Sequence, residues 1–102
     1  MTSPTSASKT GRSIPADVKN WLQTEIERLD LPYLDAQVRG RFCYVTHAGT
    51  PLCRLDYRGT RDEWGFAIYR YSRGTYGDLP MAPTRGPVTE MIDMALHAYG
   101  LR

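Results

Sequence analysis

Arginine and tyrosine recur in the middle of this chain at spacings that place them on one face of a predicted antiparallel sheet. Side chains two residues apart in a strand point the same way, so alternate positions share a face. A guanidinium group binds phosphate or carboxylate through two parallel hydrogen bonds, and a tyrosine ring stacks on an unpaired base. The candidate binding residues on this face are Arg39, Arg41, Arg54, Tyr69 and Tyr71.

Two kinds of ligand fit such a face. Its rings can stack on the bases of RNA or single-stranded DNA while its arginines hold the phosphates. Alternatively, the arginine stems cover the tyrosine rings, and the face meets water or binds a protein, including a second copy of the chain. We favour a small non-enzymatic binding or protein-interaction module, with an unknown protein partner or a homodimer. Nucleic-acid binding is the alternative, and a small enzyme is the third possibility.

The two cysteines and two histidines are candidates for a zinc site, because both residue types bind this metal. The candidates are Cys43, His47, Cys53 and His97. The chain has no Cys-x-x-Cys pair, and the predicted strand register sends the two cysteines to opposite faces of the sheet. The register therefore argues against both a zinc site and a disulfide. We predict no metal and no cofactor.

Three acidic residues lie beside a predicted turn: Asp56, Asp62 and Glu63. Catalysis by such groups needs a nucleophile, a base and an orienting partner within hydrogen-bond reach. The sequence indicates no such set, and charges beside a turn are usually solvated. We therefore assign no catalytic residue.

The size of the chain, 102 residues and 11.6 kDa, suits a single domain. Residues 1–12 consist mostly of Ser, Thr, Lys, Gly and Pro, a composition that predicts a disordered N-terminal arm. We assign residues 13–102 to a single α+β domain. The net charge of +2 is too small to indicate a polyanionic partner by itself.

No apolar run approaches the roughly 18 residues of a membrane helix, and the N-terminus lacks the apolar stretch of a signal peptide. Two cysteines are too few for the disulfide framework of a small secreted domain. We therefore predict a cytoplasmic protein without membrane association.

The hydrophobic pattern predicts the order helix, three strands, helix. Apolar residues recur at helical spacing over 15–29, and again from residue 88 to a stop at Gly100. Alternating segments at 38–46, 52–57 and 64–71 predict three antiparallel strands. We expect both helices to pack on one face of this three-stranded sheet.

Two turns predict the register of the strands. An even-numbered loop at Ala48-Gly49 pairs Tyr44 with Cys53, and pairing of Tyr57 with Trp64 continues the register. The predicted core face then carries Phe42, Tyr44, Cys53, Leu55, Tyr57, Trp64, Phe66 and Ile68. The opposite face carries Arg39, Arg41, Cys43, Val45, Leu52, Arg54, Asp56, Ala67, Tyr69 and Tyr71.

Two DNA- and RNA-binding families show partial likeness. Residues 57–61, Tyr-Arg-Gly-Thr-Arg, with Trp64-Gly65, resemble the opening of plant-type AP2 domains, which place a three-stranded sheet in the major groove of DNA. The order helix, three strands, helix is similar to that of double-stranded RNA-binding domains. The AP2 resemblance implies DNA binding. The second resemblance is one of topology, because the chain has a single Arg85 where those domains carry a basic cluster before the second helix.

A third resemblance covers about half of the chain. A strand begins at Pro51 and ends at Tyr57, Trp64 follows seven residues later, and Tyr76 and Pro80 come after an apolar strand. This spacing resembles an uncharacterised bacterial family of small α+β proteins, a domain of unknown function. The chain departs from that family in having Tyr76 where tryptophan is usual and in a longer final helix. The resemblance implies the fold and leaves the activity open.

Overall fold

The computed structural model of the protein describes residues 13–101, so the predicted arm at residues 1–12 lies outside it. This part of the chain is α+β, with two helices and an antiparallel sheet, as predicted. In chain order the elements are α1 (Ala16–Arg28), β1 (Leu34–Arg39), β2 (Phe42–His47), β3 (Thr50–Tyr57), β4 (Trp64–Arg70), β5 (Thr75–Gly77), β6 (Arg85–Gly86) and α2 (Val88–Ala98).

Helix α1 forms where apolar residues follow helical spacing. Val18, Leu22 and Ile26 are buried along one face, and polar residues occupy the rest. The helix begins after Pro15, whose extended backbone and missing N–H suit a helix start. The predicted helix at 15–29 is confirmed to within one residue at each end.

Helix α2 also buries apolar residues along one face, and its C-terminal end is defined by a glycine. Gly100 adopts a φ of +67°, a conformation that favours glycine, directly after the last turn. The N–H of Leu101 donates to the carbonyl of Leu96 at 2.8 Å, which closes the helix in the manner of a Schellman motif. The predicted stop at Gly100 is confirmed.

The sheet has six strands among residues 13–101, so the prediction of three strands was wrong. Its order is β1-β2-β3-β4-β5, and β6 pairs with β4 on the same edge as β5. The predicted strand at 38–46 is two strands, because Arg39 pairs with Phe42 and leaves a two-residue turn at Gly40 and Arg41. Gly40 has a φ of +61°, which such a turn requires.

The pairing of β3 with β4 is as predicted. Leu55 lies opposite Phe66, and Tyr57 lies opposite Trp64. The apolar residues of these strands alternate without interruption, so one register buries all of them on the same side.

The pairing of β2 with β3 differs from the prediction because β3 contains a bulge. Val45 lies opposite Cys53 and Thr46 opposite Pro51, so Leu52 is an extra residue without a partner. Pro51 has no N–H to donate, and proline in a sheet is found at bulges for that reason. The bulge shifts the predicted register by one residue.

This shift corrects the predicted faces. Phe42 and Tyr44, which were predicted to lie in the core, are only partly buried and lie on the opposite face. Cys43, Val45 and Leu52, which were predicted to lie on that opposite face, are buried. A one-residue slip moves every side chain of a strand to the other face of the sheet.

One hydrophobic cluster joins both helices to one side of the sheet, as predicted. Trp64 is fully buried in this cluster, and its indole N–H donates to the carbonyl of Arg61 at 3.2 Å. The buried members are Ile14, Val18, Leu22, Ile26, Cys43, Val45, Leu52, Cys53, Leu55, Tyr57, Trp64, Phe66, Ile68, Val88, Met91, Ile92, Ala95 and Leu96. Neither helix of residues 13–101 is long and apolar enough to cross a membrane.

Candidate functional site

We call the side of the sheet away from the helices the outer face. The strand registers place on it Asp35, Gln37, Arg39, Phe42, Tyr44, Arg54, Asp56, Gly65, Ala67, Tyr69 and Tyr76. Three of the five predicted binding residues, Arg39, Arg54 and Tyr69, are therefore strand residues of this face. Arg41 lies in the β1–β2 turn beside it, and Tyr71 follows β4 at its end.

Aromatic rings form a continuous run across the outer face. Successive ring centroids lie 4.9–6.0 Å apart, in tilted or edge-to-face arrangements. The run crosses from β2 to β5 because the long side chains of Tyr44 and Tyr76 meet above the intervening strands. In order, its members are Phe42, Tyr44, Tyr76, Tyr69, Tyr71 and Tyr99.

The guanidinium group of Arg54 lies in the middle of this aromatic surface. Its Cζ is 4.6 Å from the ring centroid of Phe42 and 5.1 Å from that of Tyr76. These cation–π contacts hold the group against two rings. Arg54 has no ion pair with any acidic residue of the described chain. Its positive charge is therefore positioned by rings and available to an anion.

A second cluster of charges borders Arg54. Asp56 Oδ1 lies 3.1 Å from Arg41 Nε, and Asp56 Oδ2 lies 3.1 Å from Arg58 Nε. Oδ1 is buried, and its contact with Arg41 is an ion pair that lacks the alignment of a hydrogen bond. Arg41 also lies 4.9 Å from the ring centroid of Phe42. The two arginines neutralise the carboxylate, so the outer face keeps an excess of positive charge.

The other predicted site residues have different partners. Arg39 donates to Gln37 Oε1 at 3.4 Å, near the edge of the sheet. The hydroxyl of Tyr71 donates to the carbonyl of Pro51 at 2.5 Å, and that of Tyr99 donates to the carbonyl of Tyr69. These bonds fix the rings of Tyr71 and Tyr99, which are in contact with each other. The aromatic run of the outer face therefore extends to Tyr99 at the end of α2.

Burial changes the acidity of two tyrosines. Burial is the main cause of the raised pKa of Tyr76, and the neighbouring Tyr44 adds to it. Burial likewise raises the pKa of Tyr71, with contributions from Tyr99 and Tyr69. These phenols stay neutral at physiological pH, so they do not repel an anionic ligand.

A shallow polar cleft of ≈ 190 Å³ opens next to Arg54. Its charged lining side chains are two arginines, Arg54 and Arg58, and two aspartates, Asp56 and Asp78. The lining residues are Arg54, Asp56, Arg58, Gly65, Phe66, Ala67, Asp78 and Thr84.

The two cysteines share the core face, so the prediction of opposite faces was wrong. Both are free thiols and both are fully buried. Burial raises the pKa of Cys43 to about 12 and that of Cys53 further. Within residues 13–101 there is no group of three His, Cys, Asp or Glu side chains that could hold a metal ion.

Sequence analysis missed four residues of the site: Phe42, Tyr44, Arg58 and Tyr76. The first two were assigned to the core by the wrong register. Tyr76 lies on a three-residue strand, which is too short to show a periodic pattern. The family resemblance singled out Tyr76 by spacing, and this was the one signal that pointed to it.

Comparison with known proteins gave no match to a family model, to a curated protein or to a solved structure.

Proposed function

We propose that this chain is a small non-enzymatic binding module whose outer face binds single-stranded nucleic acid. The observation that carries the proposal is the position of Arg54. Its guanidinium group is held against the rings of Phe42 and Tyr76 and has no acidic partner among residues 13–101. A fixed guanidinium group binds phosphate, as it binds carboxylate, through two parallel hydrogen bonds.

The aromatic run supplies the second element of this recognition. Phe42, Tyr44, Tyr69 and Tyr76 lie partly exposed on the outer face, on both sides of Arg54. Proteins that bind single strands stack bases on such rings, and each stacked base contributes about 1–3 kcal/mol. A duplex hides its bases, so the same rings discriminate in favour of single strands.

The remaining charges fit a polyanionic strand better than an acidic protein patch. Arg41 and Arg54 both lie on the ring of Phe42, and Asp56 is neutralised by Arg41 and Arg58. These arginines give the outer face several positive charges that can contact the phosphates of one strand. Because the net charge of the chain is only +2, we expect moderate affinity that falls as salt is raised.

The proposal is tested by fluorescence anisotropy with labelled single-stranded oligonucleotides of about 12 nucleotides. Wild-type protein is expected to bind, more weakly as salt is raised, and to prefer single strands over the matching duplex. Arg54→Gln removes the charge and leaves a shorter polar side chain. It is expected to lower the affinity about tenfold, because it removes a charge-assisted hydrogen bond.

Arg73→Gln is the matched control, because Arg73 is exposed in the turn between β4 and β5 and lies outside the outer face. Its affinity is expected to equal that of the wild type. Tyr69→Ala tests the stacking of bases separately. Its loss of affinity is expected to depend less on salt than the loss in Arg54→Gln. The absence of binding at low salt, or equal losses for Arg54→Gln and Arg73→Gln, would show that the outer face has another role.

A further inference from the structure

Strand β1 forms an open edge of the sheet. It pairs with β2 on one side, and no strand of residues 13–101 pairs with its other side. It is six residues long, and its apolar residues Leu34, Ala36 and Val38 are only partly buried. A strand of this length with an unpaired edge is a template for pairing with another chain.

The ladder between β1 and β2 defines which backbone groups face outward. The N–H of Ala48 donates to the carbonyl of Tyr33 at 2.8 Å, so this pair is hydrogen-bonded. Hydrogen-bonded and non-bonded pairs alternate in an antiparallel ladder. Ala36 and Val38 therefore direct their N–H and C=O groups away from β2. The N–H of Ala36 donates to Asp35 Oδ1 at 2.9 Å, so a strand that pairs with this edge replaces this local hydrogen bond.

We propose that β1 pairs antiparallel with β1 of a second copy of this chain, with Gln37 on the two-fold axis. In this register Ala36 of one copy lies opposite Val38 of the other, and the outward backbone groups of each such pair bond to each other. Asp35 lies opposite Arg39 of the second copy, and the symmetric pair forms at the other end. This inference does not rest on the proposed ligand of the outer face, and it assigns Arg39 to the second copy rather than to that ligand.

Charge complementarity selects this register from the alternatives. Asp35 and Arg39 are four residues apart on one extended strand, about 13 Å, which is too far for an ion pair within one chain. Neither side chain has an ion pair with a described residue. A shift of two residues in either direction keeps the backbone bonds but leaves Asp35 or Arg39 opposite Gln37. Only the register centred on Gln37 pairs both charges.

The other side of the strand supports the same contact. Ala36 of one copy meets Val38 of the other on the core face, so two partly exposed apolar side chains become covered. Because the two-fold axis runs perpendicular to the sheet, both outer faces point to the same side. The dimer would therefore present two copies of the Arg54 surface on one continuous sheet.

The first test is cysteine cross-linking at the axis. Gln37→Cys places a thiol opposite its own copy at a non-hydrogen-bonded pair, where side chains are closest, so mild oxidation is expected to give a covalent dimer. Cys43 and Cys53 are fully buried and do not compete. Gln23→Cys, on the exposed side of α1, is the control for random collision. Asp35→Cys and Arg39→Cys are expected to cross-link with each other when mixed, and neither alone.

The second test is charge reversal, read by size-exclusion chromatography with light scattering. Asp35→Arg and Arg39→Asp each create repulsion in the homodimer and are expected to be monomers. Mixed in equal amounts, they are expected to form a heterodimer, because every pair is then opposite in charge. This rescue separates a pairing defect from a folding defect. Asp62→Arg, an exposed residue far from β1 in sequence, is expected to leave the wild-type mass unchanged.

Two results would overturn the proposal. One is a wild-type mass of a single chain at about 1 mM, a concentration that detects an association of about 4 kcal/mol. The other is cross-linking of Gln37→Cys that does not exceed that of Gln23→Cys.

Discussion

The guanidinium group of Arg58 lies beside Gly65, in the space that a side chain at position 65 would occupy. A Cβ at position 65 would lie 2.8 Å from Arg58 Nη2 and 3.0 Å from Asp56 Cβ, so the missing side chain makes room for the Arg58–Asp56 ion pair. Glycine inside a strand usually weakens it, because it packs nothing and has more backbone freedom to lose. At this position the glycine has a packing role instead.

We therefore expect Gly65→Ala to destabilise the fold by about 1 kcal/mol, where alanine in an ordinary strand position would stabilise it. The measurement is the free energy of unfolding in urea. In an Arg58→Ala background most of the collision is removed, so Gly65→Ala should cost clearly less there. Equal costs in the two backgrounds would mean that Arg58 does not occupy this space in solution.

The hairpin between β2 and β3 turns at Ala48 and Gly49, which have φ angles of +53° and +81°. Positive φ at both central residues is the type I′ turn, whose twist matches that of the flanking strands. Alanine is a poor residue for its first position, because the left-handed conformation brings its Cβ close to the following carbonyl oxygen.

Ala48→Asn is expected to stabilise the protein by about 1 kcal/mol, since asparagine tolerates this conformation and Asn-Gly is the preferred sequence for this turn. Gly49→Ala, at the neighbouring position, is expected to lose about the same amount. Thermal unfolding compares both with the wild type. A lower Tm for Ala48→Asn would contradict the assigned turn.

This turn also shows how far sequence reasoning reaches. The two-residue loop was predictable from its turn residues. The Tyr57–Trp64 pairing was predictable because the apolar residues of both strands alternate without interruption, which allows one register. The shift at Leu52 was not, because Leu52 and Cys53 are both apolar and either can face the core. Tyr69 and Arg54 were assigned to the right face because the β3–β4 register was correct. Phe42 and Tyr44 were assigned to the wrong face, because the bulge shifts the register between β2 and β3.

The additional strands were not predicted for a related reason. Arg39 and Arg41 alternate with Val38 and Phe42 through the turn at Gly40 and Arg41, so one long strand was the simpler interpretation. Strands β5 and β6 have three and two residues, and they form because β4 offers an edge to pair with. Tertiary pairing of this kind leaves no periodic signal in the sequence.

At the scale of the whole molecule, the two buried thiols should make the free energy of unfolding depend on pH above pH 9. The pKa of Cys43 rises from an ordinary value of 9.0 to about 12, because the folded core excludes water from the thiolate. The pKa of Cys53 is raised for the same main reason. Below pH 9 both the folded and the unfolded chain hold these protons, so the thiols do not make stability depend on pH.

Above pH 9 the unfolded chain loses the thiol protons while the folded chain keeps them, so ionisation favours unfolding. We expect the free energy of unfolding to fall by about 1.4 kcal/mol per pH unit for each thiol between pH 9 and about 12. Urea unfolding at pH 8 and pH 10 measures this slope. Cys43→Ala is expected to remove about half of it while costing some stability at every pH. An unchanged slope in Cys43→Ala would assign the effect to the tyrosines.

The two tryptophans lie in opposite surroundings, and this gives the molecule two separate optical signals. Trp64 is enclosed by the core, 5.2 Å from the ring of Tyr57, so its emission should be blue-shifted and protected from dissolved quenchers. Trp21 is half-buried on α1, with the guanidinium group of Arg61 5.7 Å from its ring centroid, and should emit further to the red. The short-wavelength signal therefore follows the integrity of the core, while the long-wavelength signal follows the contact between the first helix and the loop that precedes β4.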